Sequence, residues 1–524
     1  MKKTDFLVIG SGIAGLSFAL KASKFGDVTI ITKDWVQESN TFFAQGGLAA
    51  VFSKDDSFEL HVRDTLRAGD GLCNKKAAEI LIKNAPKEIK WLEKIGVRFD
   101  RNGRLSLSKE AVHSKARIVH SGDITGREVE NVLVKNIGKN KRIRLYQNHM
   151  AVDLIVEKNR CLGACVLDIK NNKLIDVFAK GIVLATGGIG RIYANTCNHG
   201  IATGDGIAAA YLAGAELQDM EFMQFHPTGL YKSDPTFLIS ETLRGEGGVL
   251  KNKYGKRFMP GYHRDGDVAP RDVVSKFSLI EMRKTKSNCV WLDVTSLGSA
   301  YLKKRFPNIR KECLVYGADL AKEPIPVAPT AHYICGGVRT NLNGETSIKN
   351  LYAIGEVSCS GLHGADRLAS NSLTDGLVFG TRLVNKLKKS IKKEKINIKE
   401  IIKSKNQLKI IKKSIKKTKS LKNKLKELMW DKVGIIRNKK GLSSALKDIK
   451  KIEKETGRIL NDGINKEILE LRNMVIVSKT ITMSALGRKE SRGTHFIDEY
   501  PIRNDRSWQK HSLIKKSGIL KFFK

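Results

Sequence analysis

Asp5-Phe-Leu-Val-Ile-Gly-Ser-Gly-Ile-Ala-Gly15 decides the fold. Residues 5–9 read as a short buried strand. Gly10 to Gly15 spell G-x-G-x-x-G directly after it, and Leu16 to Lys24 read as the helix that this turn opens. Val28 to Thr32 is the next strand, so the unit is β-α-β and starts a parallel sheet. The glycines permit a tight turn and close approach of backbone to a pyrophosphate. The helix N-terminus adds N–H groups and the positive end of its dipole. The spacing alone is a weak signal; with strand, turn and helix in place it predicts a dinucleotide site. One expected feature is missing. An acid about 20 residues on should accept ribose hydroxyls, whereas the second strand ends in Thr32-Lys33. A lysine there suits either a 2′-phosphate, as in NADP, or the phosphates of FAD, and the fingerprint leaves both open.

Outward from this unit, Lys180 to Thr186 reads as another buried strand, ending in Gly187-Gly188, and Leu351 to Gly355 as a third. Strands far apart in sequence therefore return to one sheet. Residues 220–333 between them have mixed charges and several prolines, the texture of an inserted domain. After Lys386 the pattern becomes helical, with amphipathic helices predicted over Asn423–Val433, Ser443–Thr456 and Lys466–Ser484.

The formal net charge of +40 raises nucleic acid, an anionic membrane or an anionic substrate as partners. Between Lys386 and Lys426 eighteen lysines face only Glu394 and Glu400. The stretch has no aromatic residue and no arginine, so it lacks stacking and base-reading groups. It reads as a solvated helical linker, and no nucleic-acid partner is expected. The eight cysteines are scattered without a C-x-x-C, which predicts reduced thiols and no metal site. Met1-Lys2-Lys3 and the apolar run to Leu20 imitate a secretory signal, but Asp5 interrupts the run and cleavage would discard the phosphate-binding turn. No stretch reaches the roughly 18 apolar residues of a membrane span. A soluble, cytoplasmic protein is expected.

Further motifs follow in order: Thr41-Phe-Phe-Ala-Gln-Gly-Gly47, Asp123-Ile-Thr-Gly-Arg-Glu128, Ala185-Thr-Gly-Gly188, Gly204-Asp-Gly206, Gln224-Phe-His-Pro-Thr228, Leu243-Arg-Gly-Glu-Gly247, Ala269-Pro-Arg-Asp272, His332-Tyr-Ile-Cys-Gly-Gly337, Ala353-Ile-Gly-Glu-Val357 and Gly361-Leu-His-Gly-Ala-Asp-Arg-Leu-Ala-Ser-Asn-Ser-Leu373. Met429-Trp-Asp-Lys-Val-Gly434 and Glu490-Ser-Arg-Gly493 close the series. Over nearly its whole length the chain resembles the fumarate reductase/succinate dehydrogenase flavoprotein superfamily, and within it the aspartate oxidase branch. The resemblance implies an α/β fold: a Rossmann-like FAD-binding domain over 1–219 and 334–396, an inserted α+β capping domain over 220–333, and a C-terminal helical bundle over 397–524.

The resemblance also implies FAD as cofactor, not NADP. Ser11, Gly12, Ile13, Ala14, Lys33, Asn40, Thr41, Phe42, Phe43, Ala44, Gln45, Gly46, Gly47, Asp205, Glu356, Ser372 and Leu373 match the flavin-binding positions. Glu356, just after Ile354-Gly355, is expected at an FAD ribose. Membrane-complex members of the superfamily carry a histidine bonded to FAD where this chain has Asn40. Asparagine cannot form that bond, so the flavin is expected to be non-covalent.

The substrate implied is a four-carbon dicarboxylate, L-aspartate, whose two carboxylates need cationic partners; arginine's planar fork suits them. Arg271 and Arg367 are the candidates, with His226, His332, Ser240 and Glu241 as further contacts. Arg271 matches the family's proton donor and acceptor. Arginine stays protonated in proteins, so it equally suits holding substrate and stabilising developing charge. Glu110 matches the glutamate that orients the amino group of aspartate, and an anion there favours an ammonium-bearing diacid over succinate. Two positions depart from the family pattern. Asp366 stands where asparagine is usual, beside Arg367 and able to pair with it, and Asp375 stands where many members carry glutamate. The implied reaction is oxidation of L-aspartate to iminoaspartate, the first step of de novo NAD biosynthesis. Oxygen (giving hydrogen peroxide) or fumarate would be the acceptor, and a quinolinate synthase would consume the product. A soluble fumarate reductase shares nearly all of these residues; Glu110 and Asn40 are the main discriminators.

Overall fold

The computed structural model describes residues 2–233, 235–391, 409–411 and 416–524. Strand β1 (Lys2–Ile9), helix α1 (Ile13–Ala22) and strand β2 (Val28–Thr32) form the opening β-α-β unit. Phe6, Leu7 and Val8 are fully buried, as expected of a parallel strand covered on both faces. The strand starts three residues earlier than the apolar run because Lys2, Lys3 and Thr4 pair with Val177, Phe178 and Ala179. Helix α1 starts at Ile13, inside the glycine motif, with Gly12 as its extended N-cap.

After helix α2 (Thr125–Gly138), strands β3 (Ile143–Gln147), β4 (His149–Glu157), β5 (Arg160–Asp168) and β6 (Lys173–Leu184) complete most of a seven-stranded sheet. Its order is β3-β2-β1-β6-β5-β4. The first four strands run parallel, and β5 and β4 extend the sheet antiparallel. Past helix α3 (Asp205–Leu212) the chain leaves the sheet. Strands β7 (Met223–Leu230), β8 (Val249–Lys251), β9 (Val290–Asp293) and β10 (Ile325–Ile334) make an antiparallel sheet ordered β7-β10-β9-β8. Helix α4 (Arg271–Lys284) lies between β8 and β9 in sequence. This region has its own core, including Leu243, Leu292, Phe306 and Ile325.

The chain returns as β11 (Leu351–Ala353), parallel to β6 with Ala353 opposite Leu184, and continues into helix α5 (Asn371–Ser390). Strands β1, β6 and β11 thus end side by side at Ile9, Leu184 and Ala353. The carboxyl ends of parallel strands are where an open α/β sheet leaves a crevice. Helix α5 packs so closely on α1 that a Cβ on Gly376 would lie 3.1 Å from the Cβ of Ala14, which brings Ser372 and Leu373 to that crevice.

Helices α6 (Lys416–Val433), α7 (Lys439–Asp462) and α8 (Lys466–Gly487) extend beyond the predicted spans. Asn438 and Asn465 cap α7 and α8 by accepting from Gly441 N–H (2.7 Å) and Ile468 N–H (3.0 Å), and so fix their starts. Their apolar faces share one core with the sheet: Leu7, Ile182, Met429, Ile449 and Met474 belong to it together. Of the linker predicted over 386–426, residues 392–408 and 412–415 lie outside the described residues, while 386–390 end α5 and 416–426 begin α6. Within it, Lys409–Ile411 bond to Ile464: Ile464 N–H donates to Lys409 O at 2.8 Å and Ile411 N–H to Ile464 O at 3.0 Å. Among the described residues no helix is long and apolar enough to cross a membrane.

Candidate active site

The crevice is a cleft of about 420 Å³. Gly10 turns at its floor with φ 113°, and a Cβ there would lie 2.2 Å from the Ala185 carbonyl oxygen, so only glycine fits. Ser11, Gly12, Ile13, Ala14, Lys33, Asn40, Thr41, Phe43, Ala44, Gln45, Asp205, Glu356, Ser372 and Leu373 all line the cleft. Three residues of the expected set stand back from its wall. Phe42 faces the Arg127 guanidinium, 5.2 Å from its ring centroid. Gly47 abuts the Val119 carbonyl, and Gly46 abuts Glu110.

Lys33 is not an open cation. Its buried ammonium donates to Thr203 Oγ1 (2.6 Å), Asp205 Oδ2 (2.7 Å) and Glu470 Oε1 (2.9 Å). Burial opposes its charge, but the two carboxylates outweigh burial and raise its pKa. Against its burial, Lys33 together with Lys422, whose Nζ donates to Oε2 at 2.8 Å, holds Glu470 down at about 2. Lys33 therefore ties α8 to the cleft wall and has no charge to spare for a 2′-phosphate, which removes the NADP alternative.

Glu356 is the acceptor that β2 lacks. It accepts from Ile334 N–H at Oε1 (3.2 Å), and burial pushes the carboxyl up to about 7. A Cβ on Gly188 would lie 2.2 Å from Oε1, so glycine keeps the space beside this carboxylate open. Thr186 Oγ1 and Gln45 Oε1 are buried at the same cleft without hydrogen-bond partners. Unpaired buried polar atoms are costly, and these fit the hydroxyls and ring edge of a flavin dinucleotide. Asn40 Oδ1 accepts from His199 N–H at 3.0 Å, and His199 stacks on Phe43 with centroids 4.4 Å apart.

His332, on β10, lines the cleft and opens onto the second part of the site. On β7, Gln224 and His226 are two residues apart, with a register shift between Gln224 and Phe225. Gln224 Oε1 accepts from Arg271 Nη1 at 3.1 Å and from Arg367 Nη2 at 3.0 Å. Arg271 sits at the start of α4 and Arg367 in the loop before α5, so one amide joins two separate parts of the chain. The His226 and His332 rings meet edge to face, 5.3 Å apart. Burial and the nearby Arg271 keep both well below the usual histidine pKa, so both are neutral. His226 Nδ1 accepts from Thr228 N–H at 3.3 Å, which leaves the proton on Nε2 as a donor. His332 Nδ1 lies 3.2 Å from Cys197 Sγ.

Arg271 Nε also pairs with Glu241, and Glu241 Oε1 lies 3.6 Å from Arg244 Nη2. Burial opposes the charge on Arg271, yet Glu241 and Glu110 raise its pKa. Arg367 stacks on the Tyr333 ring at 4.3 Å, and its Nε is buried with no hydrogen-bond partner. Ser240 Oγ bonds Thr242 Oγ1 at 3.1 Å. Glu110 is buried and its Oε2 accepts from Ser370 Oγ at 2.6 Å. Burial and the Glu241 carboxylate raise its pKa.

One expectation changes. Asp366 forms no ion pair with Arg367 among the described residues. Its Oδ1 instead accepts from Gln224 Nε2 at 2.5 Å, because the loop turns it toward β7. Asp375 meets His363 at 3.5 Å, and His363 Nε2 lies 3.1 Å from Tyr333 Oη beneath Arg367. Gln224, Arg244 and Asp272 were not singled out in the sequence. The two-residue spacing of Gln224 from His226 on a strand, and the one-turn spacing of Arg244 from Glu241, were the available signals.

Residues 5–373 match the FAD binding domain model, and 422–521 match the model described as fumarate reductase flavoprotein C-term. The chain is 41% identical to the L-aspartate oxidase of Yersinia pestis, over 95% of this chain and 96% of that one. It is 40% identical to the chloroplastic L-aspartate oxidase of Arabidopsis thaliana, over 96% of this chain and 82% of that one. Among solved structures it superposes on a variant of the FrdA chain of Escherichia coli quinol fumarate reductase with a TM-score of 0.90 at 30% identity, covering 100% of this chain and 97% of that one. For Mycobacterium smegmatis Sdh1 the TM-score is 0.87 at 30% identity, covering 100% and 95%.

Proposed function

The chain belongs to the L-aspartate oxidase family of FAD-dependent oxidoreductases, and we propose that it oxidises L-aspartate to iminoaspartate, the first step of de novo NAD biosynthesis. The observation that carries this reading is the pair Arg271 and Arg367 on the single Gln224 oxygen, with Glu110 beside Arg271 and the cleft adjacent. Gly10–Ala14, Asn40, Thr41, Phe43–Gln45, Glu356 and Ser372–Leu373 would hold FAD without a covalent bond, and FAD would supply the hydride acceptor, with oxygen (giving hydrogen peroxide) or fumarate taking the electrons onward.

Arg271 and Arg367 take one carboxylate each; the unpartnered Nε of Arg367 is a donor awaiting such a ligand. Neutral His226 donates from Nε2, and His332 from its ring edge at the cleft wall. Ser240 and Glu241 shape the far side, Glu241 by fixing Arg271 Nε. Arg271 stays charged, so its part is to hold substrate and balance developing charge. The ammonium of aspartate must lose one proton as the hydride leaves C2. Glu110, an anion with a raised pKa, orients that ammonium and is suited to receive the proton. The division at 219/220, 333/334 and 396/397 forms part of this reading, supported by the separate sheet and core of the inserted region. A cytoplasmic setting, and a quinolinate synthase that consumes the unstable imine, complete it.

Purified holoenzyme given L-aspartate in air should consume oxygen and form iminoaspartate and peroxide in equal amounts. Oxygen uptake without loss of aspartate would overturn the reading.

A further inference from the structure

Behind Gln224 lies a second cavity, of about 220 Å³, between the start of α4 and the C-terminal segment. Its lining includes Asp70, Asp272, Lys276, Arg492, His495 and Arg503. Two of its polar atoms are buried without a hydrogen-bond partner: Asp272 Oδ1 and His495 Nε2. His495 Nδ1 accepts from Arg437 Nη1 at 2.8 Å, so the ring proton is on Nε2. An unpaired acceptor and an unpaired donor on one cavity wall are the partners a water molecule needs.

Asp272 is within hydrogen-bonding reach of Asp366. Asp366 in turn accepts from Gln224 Nε2 at 2.5 Å, and the same Nε2 donates to Arg367 O at 2.8 Å. These two acceptors set the orientation of the amide. Only with Nε2 turned to them does Oε1 face Arg271 and Arg367. Two carboxyl groups this close, Asp366 buried and Asp272 half-buried on the cavity wall, cannot both ionise without strong repulsion.

We propose that Asp366 and Asp272 hold one proton between them, exchanged with solvent through this second cavity, and that this proton keeps the Gln224 amide and the Arg271–Arg367 pair set for a dicarboxylate. The inference rests on the reading of those arginines as the substrate clamp. With the proton in place the pair carries one negative charge and a carboxyl O–H satisfies the contact. Without it the pair carries two, facing a dianionic substrate and competing for the same guanidinium groups. The charged and titratable groups around the pair are consistent with a retained proton. Asp366 faces Arg271, Arg367, Cys73 and Cys335, and Asp272 faces Asp70 and Lys276. Burial, then the partner carboxylate, raises Asp366 well above the ordinary range, and burial pushes Asp272 to about 6. Asp366 is a positioning residue; it acts through Gln224.

The sign is fixed by linkage: the binding-competent form is protonated, so affinity is full at low pH and falls as pH rises through the titration of the pair. Fumarate binding to oxidised holoenzyme, read from the flavin absorbance, should weaken by up to about tenfold per pH unit above that point. Asp366→Asn supplies a permanent donor in the place of the shared proton. Its fumarate affinity should lose most of that pH dependence; what remains belongs to Glu110. Over the background that Glu110 and Glu356 give to all three proteins, the parent should show one further infrared band of a protonated carboxyl, sensitive to deuteration, that is lost from Asp366→Asn and Asp272→Asn alike. A profile for Asp366→Asn that superimposes on the parent's, or a parent without that band, overturns the shared proton while leaving the clamp intact. Failure of fumarate to bind at any pH overturns the clamp and the inference together.

Discussion

Arg271 and Arg367 donate to the same atom, Oε1 of Gln224, at 3.1 and 3.0 Å. Ninety-six residues separate them in sequence, and a neutral oxygen between two buried cations fixes their spacing while leaving donors on each for substrate. Replacing Gln224 by Leu removes the shared acceptor. KM for aspartate and the dissociation constant for fumarate should both rise about tenfold, the scale of one buried hydrogen bond to a charged group. A change confined to aspartate would contradict the shared-clamp account.

Arg271→Leu should keep the yellow flavin, because Arg271 stands outside the cleft lining. It should lose turnover by at least about a hundredfold, as expected when a preorganised charge is removed from a reacting centre. Flavin content and steady-state rate on one preparation check both halves. Unchanged turnover would remove Arg271 from the chemistry.

Glu110→Gln should cost aspartate about 2 kcal/mol in kcat/KM, roughly thirtyfold, because it removes the anion that reads the ammonium. Fumarate has no ammonium, so its binding should be unchanged or tighter. Equal losses for the two ligands would mean that Glu110 supports Ser370 and Gly46 and does not discriminate.

How legible this site was depends on the kind of contact. Gly10–Gly15 and the strands around it declare themselves locally, since the turn needs glycine at Gly10 whatever follows. The hairpin of β4 and β5 did not, because its turn at Lys158 and Asn159 rests on two residues with positive φ (44° and 59°) and no glycine. Lys33 illustrates the other limit. Its position suggested a phosphate partner, but Glu470, 437 residues away, takes its charge. Asp366 likewise looked like a partner for its neighbour Arg367, while the folded loop gives it Gln224. Motif order placed the site residues; which polar groups satisfy one another is set by tertiary packing, which spacing does not encode.

Lys33 has a stability consequence. Lys33→Met leaves Asp205 and Glu470 buried with less compensation and should cost about 3–5 kcal/mol, visible as a lower Tm and weaker flavin retention. Glu470 is held at about 2, against an unperturbed value of 4.5, so its contribution is full above about pH 4.5 and is lost as pH falls toward 2. The parent should therefore lose stability over that acid window, and Lys33→Met should lose less of it. Parallel pH–stability curves would contradict the coupling.

Anaerobic mixing of the holoenzyme with L-aspartate, followed at the visible flavin bands, reports whether the site passes a hydride from aspartate to the flavin. Bleaching is expected with L-aspartate and none with succinate at the same concentration. A flavin left oxidised by aspartate, or bleached equally by succinate, would contradict it.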